Sequence, residues 1–427
     1  MSVAIVVFFA VIGIGVPVAF GLGFAGAAYI LVSGQVGITA LPTIMFGAMD
    51  SFPLLAVPLF IMAGDLMGRS GMLERLIEFA KSVVGPLRGG LAHVTVLSSM
   101  GFGAVSGVSL ADAAAVGRTL IPGLIAAGYP RGLSAAITAA SCVMGAIIPP
   151  SVGMLIIAYI YGGQLSVGRL FLSGIIPGVL VGLSQMAVVA SIARRRDLPA
   201  GSQSWSGAQM LRTARHAVLG FGMPVLIIGG IKTGFFTPTE AGAAAVAYAL
   251  VFGMLGGLRL TLKDIALSLL VSAKMSGVIY IMLATSQVFS WLLVLGQVPQ
   301  QIAPLLQPVI GSPQVFLITV LMAFIVLGAF LEGVPTMIML IPVVAPMAPV
   351  FGVDQHHLAL VILMATQFAI LSPPVALALF IVCPIAGCTS AEAMREIWPF
   401  AGCILLVTLA VIFFPELAHF IPRQAGY

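Results

Sequence analysis

The chain has 427 residues, 60% hydrophobic and only 7% charged, with a mean hydropathy of +1.18. Soluble globular chains carry roughly 25% charged residues, so this composition excludes an ordinary water-soluble domain and implies a bundle packed in the lipid bilayer. The net charge of +5 is loop charge of the kind that sets membrane topology, and a chain this apolar has no basic face for nucleic acid.

Within lipid every backbone polar group must be satisfied internally, which leaves helices or a closed barrel. Long apolar runs such as Ile404–Phe414 favour helices, and no alternating strand pattern is present. The expected class is an all-α polytopic membrane protein. The N-terminus, Met1-Ser2-Val3-Ala4, turns apolar at once and lacks a basic leader and a cleavage site, so the stretch to about Val32 is expected to span and stay. Inside it, Gly21-Leu22-Gly23-Phe24-Ala25-Gly26 has dinucleotide-motif spacing, but no strand precedes it. Small residues there read as a close helix contact.

Next comes an amphipathic stretch, Gly68–Arg88, with Arg69, Glu74, Arg75, Glu78, Lys81 and Arg88 among apolar residues. It reads as an arm lying at the membrane interface or, equally, as a plain surface helix. The apolar block Leu91–Ile125 is interrupted at Ser106-Gly107-Val108-Ser109 by small uncharged residues, which predicts a hairpin over about 91–127 that turns inside the membrane. Pro149-Pro150 break the apolar segment at about 132–162, because each proline removes a backbone donor. A long span, Leu170–Ala193, follows. Arg194–Arg215, with Arg194, Arg195, Arg196, Arg212 and Arg215, reads as a cytoplasmic linker.

Beyond the linker the order recurs. Glu240 follows Thr237-Pro238-Thr239 and opens the helix Ala241–Met254. Leu260–Lys274, with Lys263, Asp264 and Lys274, is a weaker arm. The block Val315–Pro349 is interrupted at Glu332-Gly333-Val334-Pro335-Thr336, predicting a second hairpin over about 314–350. Pro373-Pro374 break the segment at about 357–386, and Ile397–Phe420 closes the chain. The distance from Gly107 to Pro149 nearly equals that from Gly333 to Pro373. This divides the chain into a first repeat (1–193), a linker (194–216) and a second repeat (217–427). Paired broken segments at corresponding positions are the sequence pointer to a transporter's binding site.

Enzyme motifs are scarce. None of the five histidines has zinc-protease spacing, His356 and His357 after Asp354 read as solvated, and there is no Gly-x-Ser-x-Gly elbow. Cys142, Cys383, Cys388 and Cys403 read as small membrane-core residues. A non-enzyme without a cofactor is expected, with sodium as a coupling ion rather than a bound transition metal. Ionisable residues at membrane depth are costly and usually functional, which singles out Asp112 on the outgoing arm of the first hairpin and Glu332 at the second tip. Glu240 reads either as a transport residue or as a helix-start residue complementing the dipole, and Asp50 and Asp65 as boundary residues. A sodium ion exchanges its water for several oxygen ligands, which hydroxyls and the free carbonyls of broken helices supply. Ser106, Gly107, Ser109, Pro149 and Ser151 form one candidate cage, and Gly333, Thr336, Ser372 and Pro373 its partner. Helix N-termini at the same breaks suit a carboxylate substrate.

Pro-Leu-Phe-Ile at 58–61, Leu87-Arg88-Gly89-Gly90-Leu91-Ala92-His93, Ser106-Gly107 with Ala111-Asp112-Ala113-Ala114-Ala115, Ile147-Ile148-Pro149-Pro150-Ser151, Phe236-Thr237-Pro238-Thr239-Glu240-Ala241 and Ser372-Pro373-Pro374-Val375 together resemble the large membrane subunit of the tripartite ATP-independent periplasmic (TRAP) transporters. The resemblance runs over almost the whole chain. It implies an ion-transporter fold of two inverted repeats with an elevator-like moving domain. It also implies a bacterial inner-membrane location, a small four-helix membrane subunit and a periplasmic solute-binding protein as partners, and sodium-coupled uptake of an organic acid such as a C4-dicarboxylate or a sialic acid. A stand-alone carboxylate carrier of the same superfold is the alternative. By similarity, Ser106, Asp112, Ser151, Glu240 and Glu332 fall at positions expected to matter for transport. The chain departs from the family pattern at Val108 (usually Ser), at Glu332 (usually Asp), and at Ala376 and Ala378, in a region that often holds Gly and Asn.

Overall fold

Proline, glycine and hydroxyl-bearing residues punctuate the chain into helices whose lengths follow from where those residues fall. The computed structural model describes residues 2–34, 36–199, 201, 205–255, 259–308, 310–331, 333–373 and 376–427. The first half contains α1 (Ser2–Gly13), α2 (Val18–Ser33), α3 (Ala40–Met49), α4 (Ala56–Arg69), α5 (Met72–Val84), α6 (Gly90–Ser106), α7 (Ser109–Ala126), α8 (Arg131–Cys142), α9 (Met144–Ile147), α10 (Val152–Ile160) and α11 (Val167–Arg195). The second contains α12 (Gly207–Lys232), α13 (Pro238–Leu255), α14 (Leu262–Leu295), α15 (Val298–Leu306), α16 (Pro313–Gly328), α17 (Gly333–Val344), α18 (Gln355–Leu371), α19 (Leu377–Ala386), α20 (Ser390–Phe413) and α21 (Glu416–Gln424). No strand occurs among the described residues. Seven of these helical stretches are long and apolar enough to cross a membrane, and an eighth crossing forms if α8–α9 and α10, bent by 48° at their break, count as one span. The chain is a multi-pass, all-α membrane protein.

Caps fix many of the helix starts. The hydroxyls of Ser151, Ser166, Ser206, Ser312, Thr261 and Thr389 each accept a first-turn N–H, satisfying donors that a helix cannot satisfy itself. The packing forms two neighbourhoods, joined where α4 meets α6 and α10 and where α14 meets α17. In one, α4 lies against α13 and α14, and α14 also packs on α2 and α3. Gly23 and Gly26 make that approach possible, since a Cβ on Gly26 would stand 2.6 Å from Val288 Cγ1. In the other, α6 packs on α7 and α8, α8 on α20, α19 on α7 and α8, and α16 on α18. Within α18 every residue from His357 to Leu371 is buried, so this apolar helix is core rather than lipid-facing.

The structure departs from the sequence expectations at several boundaries. The first apolar stretch is not one helix. It breaks between Gly13 and Pro17, and α1 folds against α2. The linker is shorter than 194–216, because α11 continues through Arg195 and α12 begins at Gly207, which places Arg212 and Arg215 on helix. Residues 260–274 do not form a separate arm. The Thr261–Asp264 capping box starts a 34-residue helix that runs straight into a span, and nothing in its sequence after Leu262 stops it. The first arm is a distinct helix, α5, because the left-handed Gly71 (φ 90) separates it from α4. The closing span ends at Phe413, and Pro415 starts the separate α21. His357 is buried rather than solvated, its ring 2.9 Å from the carbonyl of Val411.

Candidate functional site

Both predicted interruptions are present. In the first half α6 and α7 pack as a hairpin joined by Gly107 and Val108. Gly107 adopts φ +66, and a Cβ there would lie 2.6 Å from the carbonyl oxygen of Pro150. Backbone conformation and space therefore both require glycine. The close approach lets Val152 N–H donate to Gly107 O at 3.1 Å, so the hairpin tip and the Pro149-Pro150 break hold each other through their backbones. A Cβ on Gly64 of α4 would lie 2.7 Å from Ser106 Cα, which packs the same tip against α4.

Around this junction the hydroxyls are already engaged. Ser106 Oγ donates to Asp112 Oδ1 and accepts from Val108 N at 3.3 Å. Ser151 Oγ accepts from Met154 N at 3.3 Å. Ser109 Oγ donates to Gln367 Oε1 at 2.7 Å and approaches Val143 O at 3.5 Å. Asp112 is fully buried, and its second carboxylate oxygen, Oδ2, has no hydrogen-bond partner among the described residues. Oδ2 lies against the backbone of Gly145 and Gly103, where any side chain would displace it. A carboxylate so placed in an apolar interior is tolerated only when a proton or a cation neutralises it.

In the second half α16 and α17 form the corresponding hairpin and α18 and α19 the broken segment. Glu332 lies outside the described residues, as do Pro374 and Val375. A Cβ on Gly333 would meet Thr366 of α18 at 3.5 Å. Thr336 is fully buried. Ser372 Oγ turns back to Phe368 O at 3.0 Å, and Pro373 is exposed.

The two halves meet at a cavity of about 250 Å³. Its lining includes Gly107, Ser109 and Leu110 of the first hairpin, Val152 and Gly153 at the start of α10, Gly333 and Val334 at the start of α17, and Gln367 of α18. Three helix N-termini thus come to one space, each a source of first-turn N–H groups and a positive dipole end. Of the sequence-predicted residues, Gly107, Ser109 and Gly333 line this cavity. Ser106 lines an adjoining cavity, also about 250 Å³, that includes Asp65, Arg69 and Arg118. Asp112, Pro149, Ser151, Thr336, Ser372 and Pro373 are not among the lining residues of either cavity. Glu240 is not brought here. It is exposed at the start of α13, accepting hydrogen bonds from Thr237 N and Thr237 Oγ1, both at 2.8 Å.

Sequence reasoning missed Gln367, the cross-half partner of Ser109. Its one trace in the sequence is an amide inside the apolar run Leu358–Leu371, which carries no charge to mark it. Asp65, read as a boundary residue, pairs with Arg69 at 2.6 Å and accepts from Ser268 of α14.

Discontinuous membrane helices meeting at a cavity are the arrangement of a membrane transporter's binding site. Comparison with known proteins makes this specific. Residues 5–417 match the family model of the tripartite ATP-independent periplasmic transporter, DctM component, and the chain belongs to that family of large permease subunits. It is 33% identical over 412 residues to the sialic acid TRAP transporter large permease protein SiaM of Vibrio cholerae, covering 96% of this chain and 95% of that one. It is 34% identical to the C4-dicarboxylate TRAP transporter large permease protein DctM of Pseudomonas aeruginosa, covering 95% and 94%, and 30% identical to the 2,3-diketo-L-gulonate TRAP transporter large permease protein YiaN of Escherichia coli, covering 95% of each. The fold is similar to the crystal structure of the YdaH transporter of Alcanivorax borkumensis, described as having an unusual topology, with a TM-score of 0.58, 16% identity and 99% of both chains covered.

Proposed function

We propose that this chain is the permease of a sodium-coupled uptake system for a small organic acid in the bacterial inner membrane, working with a small four-helix membrane subunit and a periplasmic solute-binding protein. The cavity at the Ser109–Gln367 junction carries the reading. It joins the two halves, and it takes its polarity from helix ends, which suit a carboxylate. Sodium supplies the positive charge that the buried Asp112 lacks, with Ser106, Gly107, Ser109, Pro149 and Ser151 as the first ligand set and Gly333, Thr336, Ser372 and Pro373 as the second. The like order of the halves supports inverted repeats, and the grouping of α2–α4, α13 and α14 beside the hairpin-bearing helices supports an elevator in which the hairpin group moves along the first at the α4–α6, α4–α10 and α14–α17 contacts. The named relatives, which move sialic acid, C4-dicarboxylates and 2,3-diketo-L-gulonate, support an organic acid as cargo.

The test is uptake into proteoliposomes holding this chain and its small subunit, with the binding protein outside and an inward sodium gradient. Accumulation that needs both sodium and the binding protein is expected. Uptake that proceeds equally without the binding protein would transfer the chain to the stand-alone carriers of the same superfold, and uptake indifferent to sodium would remove the coupling ion.

A further inference from the structure

The lining of the cavity at the hairpin junction is predominantly apolar. Apart from the helix starts it consists of side chains such as Ile61, Val108, Ile156, Val278, Met282 and Ile370. Among the described lining residues none is Lys, Arg, His, Asp or Glu. The two polar side chains, Ser109 and Gln367, are hydrogen-bonded to each other. The charged groups nearby, Arg69 and Arg118 with Asp65, stand in the adjoining cavity, which shares Ile61, Val108 and Met275 with this one.

These facts limit what can be bound. One carboxylate is served by backbone: Ser109 and Leu110 begin α7, Gly333 and Val334 begin α17, and the first N–H groups of a helix have no partner within it. The start of α10 contributes less, because Val152 N is taken by Gly107 O and Met154 N by Ser151 Oγ. A second carboxylate would enter an apolar space with no cationic side chain to meet it, and buried charge without a partner is strongly disfavoured. A polyhydroxylated ligand would outnumber the side-chain partners of the lining, because Ser109 Oγ and Gln367 Oε1 are bonded to each other and leave the two N–H donors of Gln367 Nε2. An aliphatic or aryl body, by contrast, gains from every lining side chain. The volume, about 250 Å³, lies below the roughly 300–1,000 Å³ of typical drug-sized pockets and suits a small molecule.

We propose that the ligand of this cavity is a small monocarboxylate with an apolar body. Its carboxylate sits at the N-termini of α7 and α17, and its body lies among Val108, Ile156, Val278 and Met282. The inference rests on the reading of this cavity as the transport site and narrows the acid to one chemical class. Arg69 and Arg118 would draw the anion toward the adjoining cavity without giving a second carboxylate a partner in the site.

The test is a thermal-unfolding titration of the purified full chain in detergent, in sodium chloride and in choline chloride. The ligands are 4-methylpentanoate, succinate and gluconate, with 4-methylpentanamide as the uncharged control. The expected result is a saturable upward shift with 4-methylpentanoate in sodium, at a midpoint at least about tenfold lower than for succinate or gluconate, and no shift with the amide. A Val278→Trp variant fills the cavity from a position on α14 that is 55% exposed. It should fold as the parent does and lose the shift. A shift that survives Val278→Trp, or that the amide reproduces, would overturn the proposal by placing the acid elsewhere or in the detergent. Succinate or gluconate binding as tightly, with the same sensitivity to Val278→Trp and sodium, would overturn the substrate class and leave the carrier reading standing. No response to any acid in either salt would remove both.

Discussion

The hydroxyl of Ser109, at the start of α7 in the first half, donates to the amide oxygen of Gln367, in the last turns of α18 in the second half, across 2.7 Å. Both side chains are buried, so the bond is made where a polar group without a partner is expensive. Truncating Ser109 leaves the Gln367 oxygen unsatisfied, at about 1–3 kcal/mol, and truncating Gln367 leaves Ser109 only the longer contact to Val143 O at 3.5 Å. Gln367→Leu and Ser109→Ala should each lower the unfolding temperature and reduce uptake. The double variant should lose less than the sum of the two, with a coupling of about 1 kcal/mol. Additive losses in a double-mutant cycle would show that the two residues act independently.

Gly107 is held by two constraints at once, the left-handed φ of +66 and the carbonyl of Pro150 where a Cβ would stand. Gly107→Ala should separate the hairpin tip from the proline break, break the Val152–Gly107 backbone bond and abolish uptake, with backbone strain alone of about 1–2 kcal/mol. Gly123 in the same hairpin has open space around its Cβ and an ordinary φ, so Gly123→Ala should be tolerated and slightly stabilising. Uptake and unfolding temperature measured on both variants check this. Equal behaviour would mean that the tip geometry is not needed.

The breaks were legible because proline and glycine leave a chemical trace that does not depend on tertiary context. Ser106-Gly107 and Gly333 fell at hairpin tips, and Pro149-Pro150 at a 48° bend. The arm at 260–274 was not legible, because amphipathic composition says where a face is wet and not whether the helix ends. The left-handed Gly71 parts α5 from α4 in the first half, and Leu262–Leu295 has no such break. Of the candidate ligands, spacing brought Gly107, Ser109 and Gly333 to the cavity. It could not reveal that Ser372 turns back on its own helix, whereas the helix-start reading of Glu240, one of the two the sequence offered, is the one its hydrogen bonds to Thr237 match. Gln367 escaped because its importance lies in a partner 258 residues away, and pairings between halves are not written in either half alone.

Asp112 is buried with a single side-chain donor, Ser106, and with Oδ2 facing glycine backbone. Asp112→Asn keeps the shape and removes the charge, so the variant should fold and reach the membrane while sodium-driven uptake falls to background. Ser106→Ala removes the donor and should weaken the sodium response without abolishing uptake. Proteoliposome uptake at graded sodium concentrations separates the two. An Asp112→Asn variant with the parent's sodium dependence would take Asp112 out of the coupling.

Glu240 tests the other side of the assignment. Its carboxylate accepts from Thr237 N and Oγ1 while Thr237 Oγ1 accepts from Glu240 N at 3.3 Å. This is the reciprocal arrangement of a capping box, which satisfies first-turn donors at a helix start. The carboxylate is exposed and belongs to neither the junction cavity nor the one beside it. Glu240→Gln retains the acceptor that the box requires and should leave uptake near that of the parent chain. Glu240→Ala should lower the unfolding temperature modestly and reduce uptake only through the amount of folded protein. Uptake per folded molecule, obtained by normalising transport to the monodisperse fraction, makes the distinction. A collapse of that ratio in Glu240→Gln at parent-like stability would place Glu240 in transport itself, acting in a state in which α13 lies closer to the hairpins.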